Sequence, residues 1–396
     1  MDKGLLRTVF AIAASCLYAA QAVALDLDDP CRIPEIQNTK TALFEPDRYA
    51  WDLFRELNHP ARLWSKCPDP AKKFGDDGPV VWETWRNIAA DAERSVFPPR
   101  AGHPGPWRTP SPDKFEVASL FESTSQPVVR TLADLIAPVI QRRSSRDRKK
   151  FSHSLWRQRH NAVVAKNANE DREGTEVRIN REAYLHIRDN ELYNRDVLTA
   201  LAAKGSAASL DLPPETKEIK ARWLEIEEED KPRFHWVEFE NEDGTRQTWG
   251  LTALHISTKD LPNWFWTTFE HVDTKEDWVN DSIDAWSCPD NPVNCDAVPD
   301  EIRGTKWENY RLRGTQVNFV DSLGKDTLLA NAQIEVNVER QSSCITCHAE
   351  AALEPDGKHR IPSDAYLGVP KADKLDNLMQ LDFMFAFERA SSPSDD

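Results

Sequence analysis

The chain contains one C-x-x-C-H sequence, which runs from Cys344 to His348 near the carboxyl end. C-x-x-C-H is the pattern to which haem is attached covalently in c-type cytochromes. Two cysteines three positions apart on a helical turn present both thiols on one side, where each can bond a vinyl group of the same porphyrin. His348 follows the second thiol directly and can bind the iron as the proximal axial ligand. We therefore predict one haem c, held by Cys344, Cys347 and His348.

The C-x-x-C pattern alone has other uses, as a redox-active dithiol, as half of a zinc site or as a disulfide. The sequence contains no second C-x-x-C. The residues around the motif also lack the β-α-β pattern of a thioredoxin-like protein. Both absences favour the haem interpretation.

The amino-terminal sequence has the features of a secretory signal peptide. Lys3 and Arg7 form a short positive region, residues 8–20 are mostly apolar, and Ala22-Val23-Ala24 offers a cleavage site. Cleavage two residues earlier fits nearly as well. Because c-type haem is attached outside the cytoplasm, a signal peptide of residues 1–24 agrees with the haem interpretation and predicts a periplasmic protein.

A lipid anchor and a membrane span are not expected. Cys16 lies inside the apolar run, but Ala13-Ala14-Ser15 before it is a poor match to the sequence that precedes a lipid-modified cysteine. The run is too short to cross a bilayer, and no later stretch is apolar enough. We therefore expect neither a lipoprotein nor an integral membrane protein.

The other cysteines are expected to form two disulfides. Once Cys16 leaves with the signal peptide, the cysteines outside the motif are Cys31, Cys67, Cys288 and Cys295. An oxidising compartment favours pairing, and four cysteines allow three pairings. The short separation across a proline-rich loop favours Cys288 with Cys295, which leaves Cys31 with Cys67.

The chain is acidic, with a formal net charge of −16. Residues 1–24 contribute one net positive charge, so the part that follows is near −17. This charge argues against nucleic-acid binding through bulk electrostatics. It is compatible with attraction to a basic redox partner in the periplasm, and also with a simple contribution to solubility. The basic residues 142–150 are either a docking site for an acidic partner or, as is more usual, a solvated loop.

Hydrophobic periodicity predicts an α+β fold with an antiparallel β-sheet core, surrounding helices and a carboxyl-terminal haem-bearing segment. Residues 25–215 are predicted to be mainly helical and residues 216–396 to form the sheet region, with both in one compact unit. The predicted helices are 47–58 with Asp47 as cap, a short one opening at Val80–Arg86, one capped by Asn180, and a weak one at 374–389. The predicted strands are 219–226, 234–239, 248–257, 263–271 and 314–319, the second and third joined in a hairpin at Asn241–Gly244.

Alternation along the strand at 263–271 places its side chains on two faces. Trp264, Trp266, Thr268 and Glu270 share one face, and Phe265, Thr267, Phe269 and His271 share the other. Both sets are largely apolar, which predicts a central strand. Only 48 residues follow His348, too few for a separate small cytochrome domain. The haem is therefore expected to sit on the body that contains the sheet.

Several blocks of the sequence carry a family resemblance. They are Tyr49-Ala50-Trp51-Asp52-Leu53-Phe54, Val81-Trp82-Glu83-Thr84-Trp85, Asn190-Glu191-Leu192-Tyr193-Asn194, Gly250-Leu251-Thr252-Ala253-Leu254-His255-Ile256, Trp264-Phe265-Trp266-Thr267-Thr268-Phe269-Glu270-His271, and Leu329-Ala330-Asn331 before the haem motif. In this order, over nearly the whole mature length, they resemble a family of bacterial exported cytochrome c family proteins that has no settled activity. Relatives often carry a methionine-bearing stretch where this chain has Ala332-Gln333-Ile334-Glu335, and Ile334 cannot serve as a methionine ligand. The order of elements also resembles cytochrome P460 and the β-sheet cytochromes c′, in layout only.

The function depends on the group that lies opposite His348 on the iron. A methionine or histidine there gives a low-spin electron carrier, and an open polar pocket gives a site for a small molecule or peroxide. The candidates for a distal ligand are His271 first, then Met379, Met384 and His255, with His359 ranked lower; each is also readable as an ordinary core or loop residue. Glu270 is a candidate acid–base group if the protein is an enzyme.

Three functions are compatible with these patterns. The leading hypothesis is a periplasmic monohaem cytochrome that transfers single electrons to and from a redox partner protein. The alternative is a haem enzyme or a small-ligand-binding protein with an open distal site, P460-like or peroxidase-like, and a structural or sensing role is the third. The chain is longer than a simple carrier requires, so the sequence leaves open whether it is an enzyme.

Overall fold

Strands from a long stretch of the chain form one large, mainly antiparallel sheet. The structure is a computed structural model that describes residues 39–62, 65–88, 95–107, 129–131, 173–240, 246–274, 298–331, 334, 342–360 and 367–395. The strands in these ranges are β1 Ala61–Arg62, β2 Cys67–Pro68, β3 Arg86–Asn87, β4 Val129–Thr131, β5 Glu173–Ile179, β6 Lys217–Glu225, β7 Trp236–Glu240, β8 Arg246–Thr258, β9 Phe265–His271, β10 Tyr310–Gln316, β11 Ala352–Leu353 and β12 Met379–Gln380. The α-helices are α1 Thr39–Phe44, α2 Pro46–Leu57, α3 Arg181–Asp189, α4 Arg195–Ala202, α5 Cys344–Ala349 and α6 Ala372–Leu375.

The large sheet has the strand order β10-β9-β8-β6-β5-β3, and each neighbour in this row is antiparallel. β7 pairs antiparallel with β8 and parallel with β4. Antiparallel sheets combined with helices confirm the α+β prediction. The sheet also crosses the predicted boundary at residue 216, because β5 lies before it and β6 after it. Residues 35–396 group as one compact unit.

The two faces of β9 contact different neighbours, as alternation predicts. Phe269 packs against Phe54 of α2 with 4.3 Å between ring centroids, and Phe265 packs edge-on against Tyr49 at 4.9 Å. We call this side of the sheet the α2 face. The opposite side carries Trp266, and we call it the motif face because Trp266 contacts His348 there.

Two predicted helices are confirmed, with small differences at their ends. α2 begins at Pro46, so Asp47 lies in its first turn and accepts a hydrogen bond from the Thr315 hydroxyl (2.8 Å) instead of capping the helix. α3 is capped as predicted, because the Asn180 side chain accepts a hydrogen bond from the Ala183 amide (3.3 Å). Both helices bury the apolar side that their periodicity indicated.

Two other predicted helices are wrong. The segment from Val80 forms a single 3-10 turn at Trp82–Thr84 and then joins the sheet as β3. The segment 374–389 breaks into the end of α6, strand β12 and a 3-10 turn at Phe385–Arg389. Asn377, Asp382 and Phe383 have φ values of 60°, 49° and 65°. These left-handed conformations cannot be part of a right-handed helix.

The predicted disulfides fall mostly on residues outside the described ranges. Cys67 on β2 is buried and disulfide-bonded, and its partner is not among the described residues. Cys31, Cys288 and Cys295 also lie outside them, as do Cys16, the signal peptide 1–24 and the basic residues 142–150. The pairings Cys31–Cys67 and Cys288–Cys295 therefore stay predictions. In the described ranges, none of the helices has both the length and the apolar character needed to cross a membrane.

Candidate haem-binding site

The predicted motif lies on the short helix α5. Ser343 caps this helix, because its hydroxyl accepts hydrogen bonds from the amide and the hydroxyl of Thr346 (3.4 and 3.0 Å). The thiols of Cys344 and Cys347 both lie on this helix, and the Cys344 thiol donates a hydrogen bond to the Leu329 carbonyl (3.2 Å). Cys344 is buried and Cys347 is partly exposed, one helical turn further on. This arrangement gives two thiols on one turn, as thioether attachment of a haem requires.

Gln316 at the end of β10 fixes α5 to the sheet. Its side-chain oxygen accepts a hydrogen bond from the Ile345 amide (3.0 Å), and its side-chain nitrogen donates to the Ser343 hydroxyl (2.7 Å) and the Thr327 hydroxyl (2.7 Å). Gln316 is 3% exposed. Buried polar groups of this kind contribute most through the penalty that follows when a partner is lost. The position of the motif is therefore set by the sheet as well as by the local sequence.

The imidazole of His348 is oriented by a backbone carbonyl. Nδ1 lies 2.8 Å from the carbonyl oxygen of Phe383. Because a carbonyl can only accept, Nδ1 carries the proton, and the neutral ring then has its lone pair on Nε2. This is the tautomer in which a histidine binds a metal, with its second nitrogen held by an outer partner.

Aromatic side chains flank the same imidazole. The Trp266 ring lies 4.6 Å from the His348 ring, and the Phe385 ring lies 5.3 Å from it, edge-on. Trp266 comes from β9, and Phe385 comes from the 3-10 turn near the carboxyl end. Large apolar rings beside a ligand histidine favour a flat apolar cofactor and limit the access of water.

The residues present fit a haem c group. Cys344 and Cys347 supply two thiols on one turn, His348 has the tautomer of an iron ligand, and aromatic rings line its surroundings. The described ranges contain no group of three or more His, Cys, Asp or Glu side chains arranged to hold a metal ion.

The structure places His271 away from the motif. Its Nε2 lies 3.1 Å from the carbonyl oxygen of Arg233, and its Nδ1 accepts a hydrogen bond from the Asp273 amide (3.2 Å). Both ring nitrogens are therefore bound to the backbone. The ring lies on the α2 face, and five residues of strand, about 17 Å, separate it from Trp266. We therefore do not propose His271 as the distal ligand, although it was the first candidate.

The acid–base candidate Glu270 is part of a buried ion pair. Its carboxylate lies 3.0 Å from the Nε of Arg313, and both side chains are fully buried. A buried pair of this kind is a structural feature whose partners are costly to separate. This contact favours a structural role for Glu270.

The other distal candidates are distributed around the motif. Met379 lies on β12 opposite Leu353 of β11, and Met384 follows Phe383; both methionines are 1% exposed. His359 lies in the same carboxyl-terminal region, where burial lowers its pKa. His255 lies on β8 directly opposite Thr268 of β9, which puts it on the motif face. Of the two strand histidines that were candidates for the distal ligand, His255 shares a face with Trp266 and His271 does not.

Polar residues occupy the motif face beyond Trp266. Cross-strand pairing aligns Trp266 with Ser257 and Glu218, and the next row aligns Thr268 with His255 and Lys220. Glu218 is 9% exposed, and one of its oxygens is buried with no hydrogen-bond partner in the described ranges. Burial raises the pKa of Glu218 to about 7, against a smaller opposing effect of Lys220. Burial, and then Lys220, lower the pKa of His255 to about 3.

Comparisons with known proteins add no identification. No family model, no curated protein and no solved structure matches this chain. The resemblance to the cytochrome c family proteins therefore stays an expectation, and the function is proposed from the geometry of the site.

Sequence reasoning missed the residues that contact His348 and the start of α5. Neither the carbonyl of Phe383 nor the side chain of Gln316 was predicted to have a role. The one available signal was next to Phe383, where the acidic Asp382 interrupts the apolar run Leu378–Phe387 at a position that helical periodicity would bury. Backbone carbonyls leave no such trace in a sequence.

Proposed function

We propose that this chain is a monohaem c-type cytochrome that transfers single electrons. The observation that carries the proposal is the geometry of α5, where two thiols lie on one turn beside a histidine whose Nδ1 donates to the Phe383 carbonyl. In this proposal Cys344 and Cys347 form the thioether bonds and His348 is the proximal ligand. When bound, the haem supplies a one-electron iron couple.

The protein residues have two tasks in such a carrier. Phe383 and Trp266 hold the His348 ring in one orientation, so that the ligand does not rearrange when the charge of the site changes. Cys347 and His348 are partly exposed, so a haem held by them would lie near the surface. Proximity to the surface allows exchange of an electron with another protein without a large opening of the fold.

The proposed partner is a redox protein in the periplasm with a basic contact surface. The acidic charge of the chain supports this choice, because complementary charge accelerates encounter between transient partners. Export by the signal peptide 1–24 belongs to the same proposal.

Covalent attachment is the first test. We expect that protein produced in a host that exports it and attaches c-type haem retains one haem on a denaturing gel and in the intact mass. The variant Cys344→Ser/Cys347→Ser is expected to lose both signals. Ile345→Val, which changes a residue between the two cysteines, is the matched control and should keep them. A parent protein with the mass of the bare processed polypeptide would refute the proposal.

A second candidate function is a haem enzyme or a small-ligand-binding protein with an open distal site. The adjacent polar residues Glu218, Lys220 and His255 on the motif face support it, because ionisable groups withdrawn from water beside a cofactor are typical of a reaction site. Ferric and ferrous absorption spectra distinguish the two functions. A six-coordinate low-spin spectrum without carbon monoxide binding favours the carrier, and a high-spin spectrum with rapid binding favours the open site.

A further inference from the structure

The carbonyl that orients His348 belongs to an unusual piece of backbone. Asp382 and Phe383 are consecutive residues other than glycine with left-handed φ values of 49° and 65°. Such conformations are unfavourable for residues other than glycine, because the β-carbon approaches the following carbonyl oxygen. The conformation persists only if other contacts hold it. The side chain of Asp382 supplies several such contacts.

The Asp382 carboxylate binds three groups from other parts of the chain. One oxygen accepts hydrogen bonds from the Leu212 amide (2.7 Å) and from the Lys259 ammonium (2.5 Å), and the other accepts from Nε1 of Trp264 (3.2 Å). The Asp382 and Lys259 side chains are only 10% and 12% exposed. A carboxylate that is bonded on both oxygens and largely withdrawn from water is held in a single orientation.

The Asp382 carboxylate is linked to His348 indirectly by two routes, one along the backbone and one through side chains. Along the backbone, Asp382 precedes Phe383, whose carbonyl accepts the Nδ1 proton of His348. Through side chains, Asp382 binds Trp264, which stacks on Trp266 with 5.9 Å between centroids, and Trp266 contacts the His348 ring. Displacement of Asp382 would therefore loosen both supports of the imidazole.

We propose that Asp382, held by Lys259, is a positioning residue that sets the donor strength of His348 towards the haem iron. The inference rests on the proposed function for its effect on the iron, but the orientation of His348 can be measured without haem. A firm hydrogen bond from Nδ1 to a carbonyl increases the basicity of Nε2, which stabilises the ferric state. A weaker hydrogen bond makes the imidazole a poorer donor, so the reduction potential becomes more positive.

The effect of a changed charge on the reduction potential must be separated from the effect of a changed position of His348. Asp382→Asn removes a negative charge, which by itself also makes the potential more positive. Lys259→Gln removes a positive charge and by itself makes the potential more negative. The double variant Lys259→Gln/Asp382→Asn leaves the net charge unchanged, so its potential reports positioning. Asparagine tolerates the left-handed conformation of residue 382, and the double variant avoids leaving one buried charge alone.

The experiment compares parent and variants as holoproteins by equilibrium redox titration. We expect the double variant to keep covalent haem and to shift to a more positive potential. Asp211→Asn is the matched control, because Asp211 also binds Lys259 (2.5 Å) but is 91% exposed. It is expected to leave the potential unchanged, since an exposed ion pair is weak and screened.

A second readout uses haem-free protein that carries Cys344→Ser/Cys347→Ser. Nitrogen-15 NMR of His348 is expected to show the Nδ1-protonated tautomer with a protected proton. The added double substitution should reduce this protection by about tenfold, the loss expected for one hydrogen bond. Equal potential and equal protection in parent and double variant would overturn the inference and leave the proposed function intact. Absence of covalent haem from the parent would overturn the proposed function, and the NMR comparison would still decide the role of Asp382.

Discussion

At the scale of single residues, Gln316 makes several of the buried hydrogen bonds that hold the candidate site in place. Replacement by alanine removes the acceptor for the Ile345 amide and the donor to Ser343, both buried at the start of α5. Each buried polar group left without a partner costs about 1–3 kcal/mol. We expect Gln316→Ala to lower the free energy of unfolding by about 2 kcal/mol or more in denaturant titrations. Gln380→Ala, at an exposed glutamine, is the control and should change it by less than about 0.5 kcal/mol. Equal losses in the two variants would show that Gln316 does not anchor the motif.

Residues with a local role were predictable, and those with a distant role were not. Asn180 was expected to cap α3 because the side chain of a cap reaches an amide only three residues away. The cysteines and the histidine of the motif were chosen as candidates for the same reason, because their spacing is the pattern of covalent haem attachment, and their roles stay predictions. Phe383 acts on His348 from 35 positions away through its backbone. No property of its side chain indicates that role.

At the scale of elements, Phe54 is one of the aromatic residues that pack α2 on the sheet. Its ring is fully buried and lies within 4.3 to 6.0 Å of the rings of Phe269, Trp307 and Tyr310. We expect Phe54→Ala to lower the free energy of unfolding by about 3–5 kcal/mol, the usual cost of removing a buried aromatic ring. Covalent haem should still be attached, because α2 packs on the face opposite the motif.

The control for this prediction is Phe44→Ala in the neighbouring helix α1. Phe44 is 72% exposed, so its replacement should change the free energy of unfolding by less than about 0.5 kcal/mol. Comparable losses in the two variants, measured by denaturant unfolding, would contradict the packing of α2 on β9 through Phe54.

The strands were easier to predict than the carboxyl-terminal segment. β7 and β8 were expected as a hairpin because alternation and a turn sequence act over a short distance, and their antiparallel pairing confirms it. The segment 374–389 was predicted as a helix because its leucine, methionine and phenylalanine residues recur at helical spacing. The structure replaces that helix with strand β12 and left-handed residues, which bring the Phe383 carbonyl to His348. The contact with His348, which is distant in the chain, therefore outweighed the helical spacing of the local sequence.

At the scale of the whole molecule, side chains from several strands share each face of the sheet. The α2 face carries Phe265 and Phe269, and the motif face carries Glu218, Lys220 and His255, which we call its polar face. The class of the fold was predictable from periodicity. The pairing of β5 with β6 across the predicted boundary was not, because strand partners far apart in the chain leave no local signal. The polar face is accordingly a product of tertiary pairing.

This polar face makes the stability of the molecule depend on pH in two opposite ways. Burial raises the pKa of Glu218 to about 7 from 4.5, so between these values the folded protein holds a proton that the unfolded chain has lost. Its contribution is complete below pH 4.5 and is lost as the pH rises to 7. Burial lowers the pKa of His255 to about 3 from 6.5, so its contribution is complete above pH 6.5 and is lost as the pH falls. Between pH 4.5 and 6.5 Glu218 makes the stability fall with rising pH and His255 makes it rise, so the two effects offset each other.

Single substitutions should reveal how much of the pH dependence of stability each of the two groups contributes. We expect the stability of Glu218→Gln, relative to the parent, to increase by about 3 kcal/mol between pH 4.5 and pH 7.5, since 2.5 units of pKa correspond to about that free energy. His255→Gln should show the reverse trend, with its relative stability decreasing as the pH rises to 6.5. The exposed Glu215→Gln is the control and should show a constant difference. Denaturant unfolding at half-unit steps of pH measures all three. A constant difference for Glu218→Gln would mean that this carboxyl ionises in the folded protein as it does in the unfolded chain, and that the motif face admits water.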